Sequence, residues 1–339
     1  MAEAIDKQDH LFVVSSSPHT HSGASVKAIM LDVIIAMLPL TGAAIYLFGW
    51  NAIRLLLVCV ISCVATEAAC RKAMGRNAGI DDLSAVVTGM LLAFNLPPAL
   101  PSWMAVTGSV IAIALAKQVF GGIGYNPFNP ALIARVALLI SFPVAMTTWS
   151  PWIMAAPAAG IDALTSATPL GAFKSAIDFG QTVPYLTNST TFMQFFVGHQ
   201  NGCIGEVSSL AILLGGLYLL FRRCISWQIP AFYLGSVAVL STIIWAVAPD
   251  KNLPPHLHLV TGGLMLGAFF MATDMVTTPV TRKGMAVFGA GCGILTVLIR
   301  VWGGYPEGVS FAILLMNAVT PLINRATRPR VFGTGKKKS

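Results

Sequence analysis

Apolar residues dominate this chain in long runs broken by short polar connectors. Ten such segments stand at 28–48, 52–69, 83–96, 103–120, 132–147, 207–221, 229–248, 259–272, 285–302 and 309–323. A helix needs roughly 20 residues to cross a bilayer, because no water inside it satisfies a bare backbone N–H or C=O. The third and eighth segments are too short and run into helix-breaking chain, Asn95-Leu96-Pro97-Pro98 and Thr273-Asp274 through Pro279. Both are predicted to be half-helices that end inside the protein, where irregular backbone is tolerated beside a cavity.

The two halves of the pattern echo each other. Phe94 precedes the double proline as Phe269, Phe270 and Met271 precede Asp274, and a glycine-rich turn closing on Tyr125 matches one closing on Tyr305. Five segments per half is an odd number, so the halves are expected to be inverted repeats. Such repeats place a solute or ion site near the midplane where they meet.

Composition agrees: 55% of the 339 residues are hydrophobic and 10% charged, against about 25% charged in a soluble domain. The expected fold is an all-α integral membrane bundle of ten helices. The formal net charge of +8 does not form a nucleic-acid stripe; the cations cluster at the ends of apolar runs. Arg71, Lys72, Arg76, Arg222, Arg223, Arg282, Lys283 and the tail of Arg325, Arg328, Arg330 and Lys336 to Lys338 fall on one side if both termini are cytoplasmic. The opposite side keeps Arg54, Lys174, Lys251 and Arg300.

The expected organisation is a cytoplasmic segment (1–27), a first membrane repeat (28–148), an external connector (149–206), a second repeat (207–325) and a basic tail (326–339). The start lacks the basic-then-apolar pattern of a cleavable signal, so the first span is expected to direct insertion. Six scattered cysteines contain no Cys-x-x-Cys pair, which argues against an iron–sulfur cluster or zinc held by this chain alone and reads as apolar filling. No nucleophile–histidine arrangement is evident, and Gly121-Gly122-Ile123-Gly124 lacks the preceding strand of a dinucleotide fold.

The connector carries Asp162-Ala163-Leu164-Thr165-Ser166-Ala167-Thr168-Pro169. Thr168 offers a hydroxyl able to form a phosphoester, Ser166 and Ala167 leave it accessible, and Asp162 can serve recognition. A plain Ser/Thr-rich turn before proline is the competing reading.

The stretch from Asp162 to Thr168 resembles the flavinylation sequence on which a dedicated transferase esterifies FMN. The stretches FGGIGYNPFNPALIARV (120–136), GCIGEVSSLAILLGG (202–216) and FFMATD (269–274) resemble the same family: membrane proteins that include the D component of Rnf ferredoxin:NAD oxidoreductase complexes and the B component of the sodium-pumping NADH:quinone reductase. The resemblance covers nearly all ten segments. It implies covalent FMN on Thr168 outside a bacterial inner membrane, and a larger electron-transfer complex that moves Na⁺ or H⁺ and needs a flavin transferase for assembly. It also implies that Asn126 and Asn129 lie near a second, non-covalent riboflavin, although Asn-Pro pairs equally start helices.

A carboxylate at membrane depth costs about 2.5–3.5 kcal/mol, so Asp274 is assigned to cation handling, with a cap or helix-end acid near the interface as the competing reading. Asp81 and Asp82 either gather cations at the cytoplasmic mouth or are solvated acids at a helix N-terminus. Phe94, Phe269 and Phe270 either form a constriction or simply pack. Glu67 is expected to pair with Arg71 along its helix, and Lys117 to snorkel to the membrane surface. The rival functions are a passive urea- or ammonium-type channel, which has no use for a flavinylation sequence, and a structural scaffold, in which Thr168 and Asp274 are dispensable.

Overall fold

The computed structural model describes residues 25–76, 80–149, 168–178, 189–198, 200–249, 252–305 and 307–329. The regular elements of the described residues are all helices, with no strand among them. In chain order the helices are α1 (Val26–Phe48), α2 (Trp50–Ala73), α3 (Ser84–Phe94), α4 (Ser102–Val110), α5 (Pro130–Ser141), α6 (Pro143–Thr147), α7 (Pro169–Asp178), α8 (Ser189–Val197), α9 (Ser209–Phe221), α10 (Gln228–Val247), α11 (Pro255–Val260), α12 (Leu264–Leu266), α13 (Arg282–Trp302) and α14 (Val309–Ala326). A π-helical stretch extends α4 over Ile111–Gln118, and another extends α12 over Gly267–Met271. Five helices (α1, α2, α10, α13 and α14) are long and apolar enough to cross a membrane; α3, α5 and α9 are shorter apolar helices.

Local chemistry sets the ends. Ser25, Asn129, Ser208 and Thr281 each accept a hydrogen bond from a first-turn N–H of α1, α5, α9 and α13. Gly49, at φ 54°, turns the chain between α1 and α2, in a backbone region that an L side chain rarely enters. Leu and aromatic side chains such as Leu38, Tyr46, Leu57 and Phe221 stay exposed on the outer faces, while Met37, Leu40, Leu55, Phe94 and Phe288 are buried. An apolar exterior of this kind faces lipid, and small residues then bring helices close. α10 packs on α13 through Gly289 and Gly293, and α1 packs on α9 through Gly215.

α3 is broken as expected: it stops at Phe94, and the chain turns through Asn95 to Leu100. Its freed carbonyls are satisfied from elsewhere. Gly205 N–H donates to Phe94 O (2.9 Å), Ile204 N–H to Leu96 O (3.1 Å), and the Arg54 guanidinium to Pro98 O and Leu100 O (3.3 and 2.9 Å). A second break lies at Thr261–Gly263, between α11 and α12, where Gly262 and Gly263 take φ of 58° and 50°. Arg300 donates there to the carbonyls of His258, Thr261 and Gly262 at 2.7 to 3.0 Å. Arg54 and Arg300 are therefore committed to unpaired backbone rather than being stray surface cations, which is the condition for irregular chain at membrane depth.

Candidate functional site

Two cavities flank the region where the broken helices meet. The first, of about 250 Å³, is lined by Arg135, Trp149, Thr168, Tyr305, Glu307 and Phe311, among others. Thr168 stands immediately before α7. Its side chain caps that helix, accepting from Gly171 N–H at 3.1 Å while its carbonyl accepts from Ala172 N–H at 2.8 Å. The hydroxyl thus stands where helical N–H groups concentrate positive potential, a favourable place for phosphate. Tyr305 and Phe311 stack at 5.0 Å between ring centroids and form an aromatic wall. Asp162, Ser166 and Ala167 lie outside the described residues.

The second cavity, of about 340 Å³, is lined largely by apolar side chains, with Asn126, Asn129, Asp274, Lys117 and Thr273 among its polar groups. Asn129 works as a cap, accepting from Ala131 and Leu132 N–H, and its amide also donates to Met271 O at 3.3 Å. Asn126 is buried and donates to Phe128 O. Helix starting and cavity lining thus coincide in the same side chains.

Asp274 lies just past the second π-helical stretch, half-buried at the cavity, accepting from Val276 N–H and Thr277 Oγ1 at 3.3 and 3.4 Å. The three phenylalanines pack into glycine notches: Phe94 on Gly205, Phe269 on Gly216 and Phe270 against Gly215. Of the three, Phe270 alone lines either of these two cavities.

At the start of α3, Asp81 is exposed, whereas Asp82 accepts from the Ser84 N–H and hydroxyl (3.0 and 2.7 Å) and pairs with Arg71 at 3.1 Å. Asp81 faces outward, while Asp82 is thus tied to the first residue of α3 and to Arg71. Burial pushes its carboxyl up, but the Ser84 hydrogen bonds and the Lys117 and Arg71 charges outweigh it and hold the group below its ordinary value. A depressed carboxyl stabilises the fold above the unfolded pKa and loses that contribution as pH falls through the folded one. Asp82→Asn is expected to lower stability by about 1 kcal/mol at pH 7, with the gap to wild type closing below roughly pH 4 in thermal melts.

The predicted Glu67–Arg71 pair is present at 3.2 Å, but Lys117 does not snorkel. It is 3% exposed and donates to Glu67 at 2.9 Å and to Ser84 Oγ at 2.6 Å. Glu67 sits on a neighbouring helix and offers Lys117 a buried carboxylate, which the linear sequence did not disclose.

Sequence reasoning missed the centre of the molecule. Arg135, on α5, is 6% exposed; its Nη1 donates to Asn95 Oδ1 (2.9 Å) and Ser310 Oγ (3.0 Å), and its Nη2 to Glu206 Oε1 (3.0 Å) and Glu307. Cys203 Sγ lies 3.5 Å from the same nitrogen, so this cysteine belongs to a polar cluster and is not merely apolar filling. Among the described residues, Cys203, Glu206 and Glu307 form the one group with metal-ligand spacing. A guanidinium in the middle of an apolar run was the available signal. Asn95 also places its amide 3.6 Å from Met271 Sδ, so polar contacts run from Asn129 through Met271 and Asn95 to Arg135, from one cavity to the other.

Comparison with known proteins bears on this arrangement. The profile of the NQR2, RnfD, RnfE family matches residues 13–333. Over 327 residues the chain is 47% identical to the D component of the Na⁺-translocating ferredoxin:NAD⁺ oxidoreductase complex of Acetobacterium woodii, covering 96% of each chain. Over 337 residues it is 46% identical to the D component of the proton-translocating ferredoxin:NAD⁺ oxidoreductase complex of Clostridium ljungdahlii, covering 98% of this chain and 99% of that one. It is 42% identical to the D component of the ion-translocating oxidoreductase complex of Halorhodospira halophila, over 94% of both.

Proposed function

The chain belongs to the NQR2, RnfD, RnfE family, and from that premise we propose that it is the D-type membrane component of an ion-translocating ferredoxin:NAD oxidoreductase complex, with FMN esterified to Thr168. The observation that carries the reading is end-to-end likeness to such D components, at 46 and 47% identity, in a chain whose Thr168 faces an aromatic-walled cavity.

The residues present fit the group. Thr168 supplies the ester oxygen, the first turn of α7 supplies N–H donors, Arg135 supplies a positive charge, and Trp149, Tyr305 and Phe311 supply apolar walls. Flavin bound there would contribute one- and two-electron transfer. The second cavity, with amides at Asn126 and Asn129, suits an uncharged flavin such as riboflavin.

Ten membrane segments in two inverted five-helix repeats are the topology we favour, with both termini cytoplasmic in a bacterial inner membrane and Thr168 outside. The element order supports this: α1, α2, the broken α3, α4 and α5 precede the connector, and α9, α10, the interrupted α11–α12, α13 and α14 follow it. Electron passage between the cavities would then be coupled to movement of a cation across the repeat interface, storing about 2.3 kcal/mol per charge per 100 mV. The Na⁺-named and proton-named relatives match this chain almost equally well, so overall likeness does not choose the ion.

Thr168→Ala is expected to abolish in-gel flavin fluorescence on this chain, and Thr168→Ser to retain it. Fluorescence that survives Thr168→Ala, or an unmodified residue-168 peptide in mass spectra of the purified complex, defeats the assignment.

A further inference from the structure

We infer that the carboxylates of Glu206 and Glu307, beside Cys203, form a binding site for a monovalent cation, which the Nη2 edge of Arg135 fills in the conformation seen here. The inference rests on the proposed function, because it names the ion site of that same membrane component. One ligand atom from each of the three residues lies within 4.8 Å of the others. Hard cations of sodium and calcium size sit about 2.4 Å from oxygen ligands, so the two carboxylate oxygens fit around a single ion, with the softer Cys203 sulfur at its edge.

The unused bonding capacity of the cluster points the same way. Glu206 is 3% exposed, yet its Oε2 has no hydrogen-bond partner, and Glu307 Oε1 is likewise unpaired. Buried carboxylate oxygens are normally satisfied, because an orphaned one forfeits its hydration without return. A cation is the partner that satisfies several such oxygens at once.

The charge of the cluster selects its valence. Arg135 contributes one positive charge against two carboxylates, leaving one negative charge. The next cation, Arg300, gives its N–H donors to the carbonyls of His258, Thr261, Gly262 and Glu307 rather than to a carboxylate. Arg135 is also anchored through Nη1 to Asn95 and Ser310, so it can release the carboxylates and stay nearby. A monovalent ion then completes neutrality, while a divalent ion overshoots it.

The position suits transport. Glu206 sits beside the interrupted end of α3, Glu307 precedes α14, and Gly263, at the second break, closes on Glu206 Oε1. Both chain breaks therefore converge on the triad, which is where ion sites form between repeats. Glu307 and Arg135 also line the Thr168 cavity, so extra negative charge there would draw the guanidinium away and free the site.

The test is equilibrium binding of ²²Na⁺ to the purified intact complex in nanodiscs, with Li⁺, K⁺ and Ca²⁺ as competitors. Glu206→Gln and Glu307→Gln are expected to raise the half-saturating Na⁺ concentration at least tenfold. Arg135→Gln, which removes the competing cation, is expected to lower it at least tenfold. If that variant does not assemble, Arg135→Lys, with its shorter reach, is expected to lower it by a smaller factor. Wild-type affinity in both glutamate variants, weakened binding in the arginine variants, or displacement by equimolar Ca²⁺ overturns the site. Flavin on the residue-168 peptide is read on the same samples. Altered cation binding with flavin absent would support the triad and sink the covalent assignment; flavin present with unaltered binding would do the reverse.

Discussion

Arg135→Leu is expected to destabilise the assembled protein by about 3–5 kcal/mol, the usual cost of removing one partner from a buried ion cluster. The guanidinium side chain is 7% exposed and lies between Glu206, 3% exposed, and Glu307, 15% exposed. Without it two carboxylates face each other out of water, and Asn95 Oδ1 and Ser310 Oγ lose a donor. The loss should be largely reversed in the triple variant Arg135→Leu, Glu206→Gln, Glu307→Gln, because deleting a whole buried ion cluster is often close to neutral. Arg135→Lys should fall between, since an ammonium cannot serve four partners with a planar fork. Thermal unfolding of the solubilised complex, followed by fluorescence-detected size exclusion, checks the order. A single variant as stable as wild type would show that the cluster is not the buried keystone described here.

The second large effect concerns packing. A Cβ built at Gly215 would overlap Ala36 O and stand 2.9 Å from the Phe270 ring. The first of these is backbone of α1 and cannot turn aside, so Gly215→Ala must push α1 and α9 apart. We expect a loss of about 2–3 kcal/mol, at the upper end of overpacking costs. Gly216→Ala meets the Phe269 ring and should cost less, because a ring can rotate. Gly42→Ala meets nothing within 4 Å and serves as the neutral control. Equal melting temperatures for Gly215→Ala and Gly42→Ala would refute the close α1–α9 crossing.

Much of the fold was legible in the chain because bilayer physics writes itself into local composition. The double proline after Asn95 announced the break in α3. The other break was not anticipated: the eighth run was expected to begin at Leu259 and stop before Thr273 to Pro279, whereas helix begins at Pro255 and is interrupted at Thr261–Gly263. Asn129 could be read as a cap from its Asn-Pro pair alone. Lys117 could not be placed, since a lysine near a span end snorkels unless a buried acid awaits it, and that acid is Glu67, on another helix.

The Thr168 motif was visible as a string of small residues, but the cavity it opens on was not, because Tyr305, Phe311 and Arg135 come from two other parts of the chain. Apolar run lengths, capping side chains and breakers act over a few residues, so the sequence by itself determined an all-helical membrane chain, the interruption after Phe94 and its candidate phosphoester threonine. Which charges meet was left to the tertiary structure. Arg135 gains Glu206 and Glu307 only when α5 packs against the two chain breaks, and electrostatics in a low-dielectric interior depends on distance in space, not on separation along the chain.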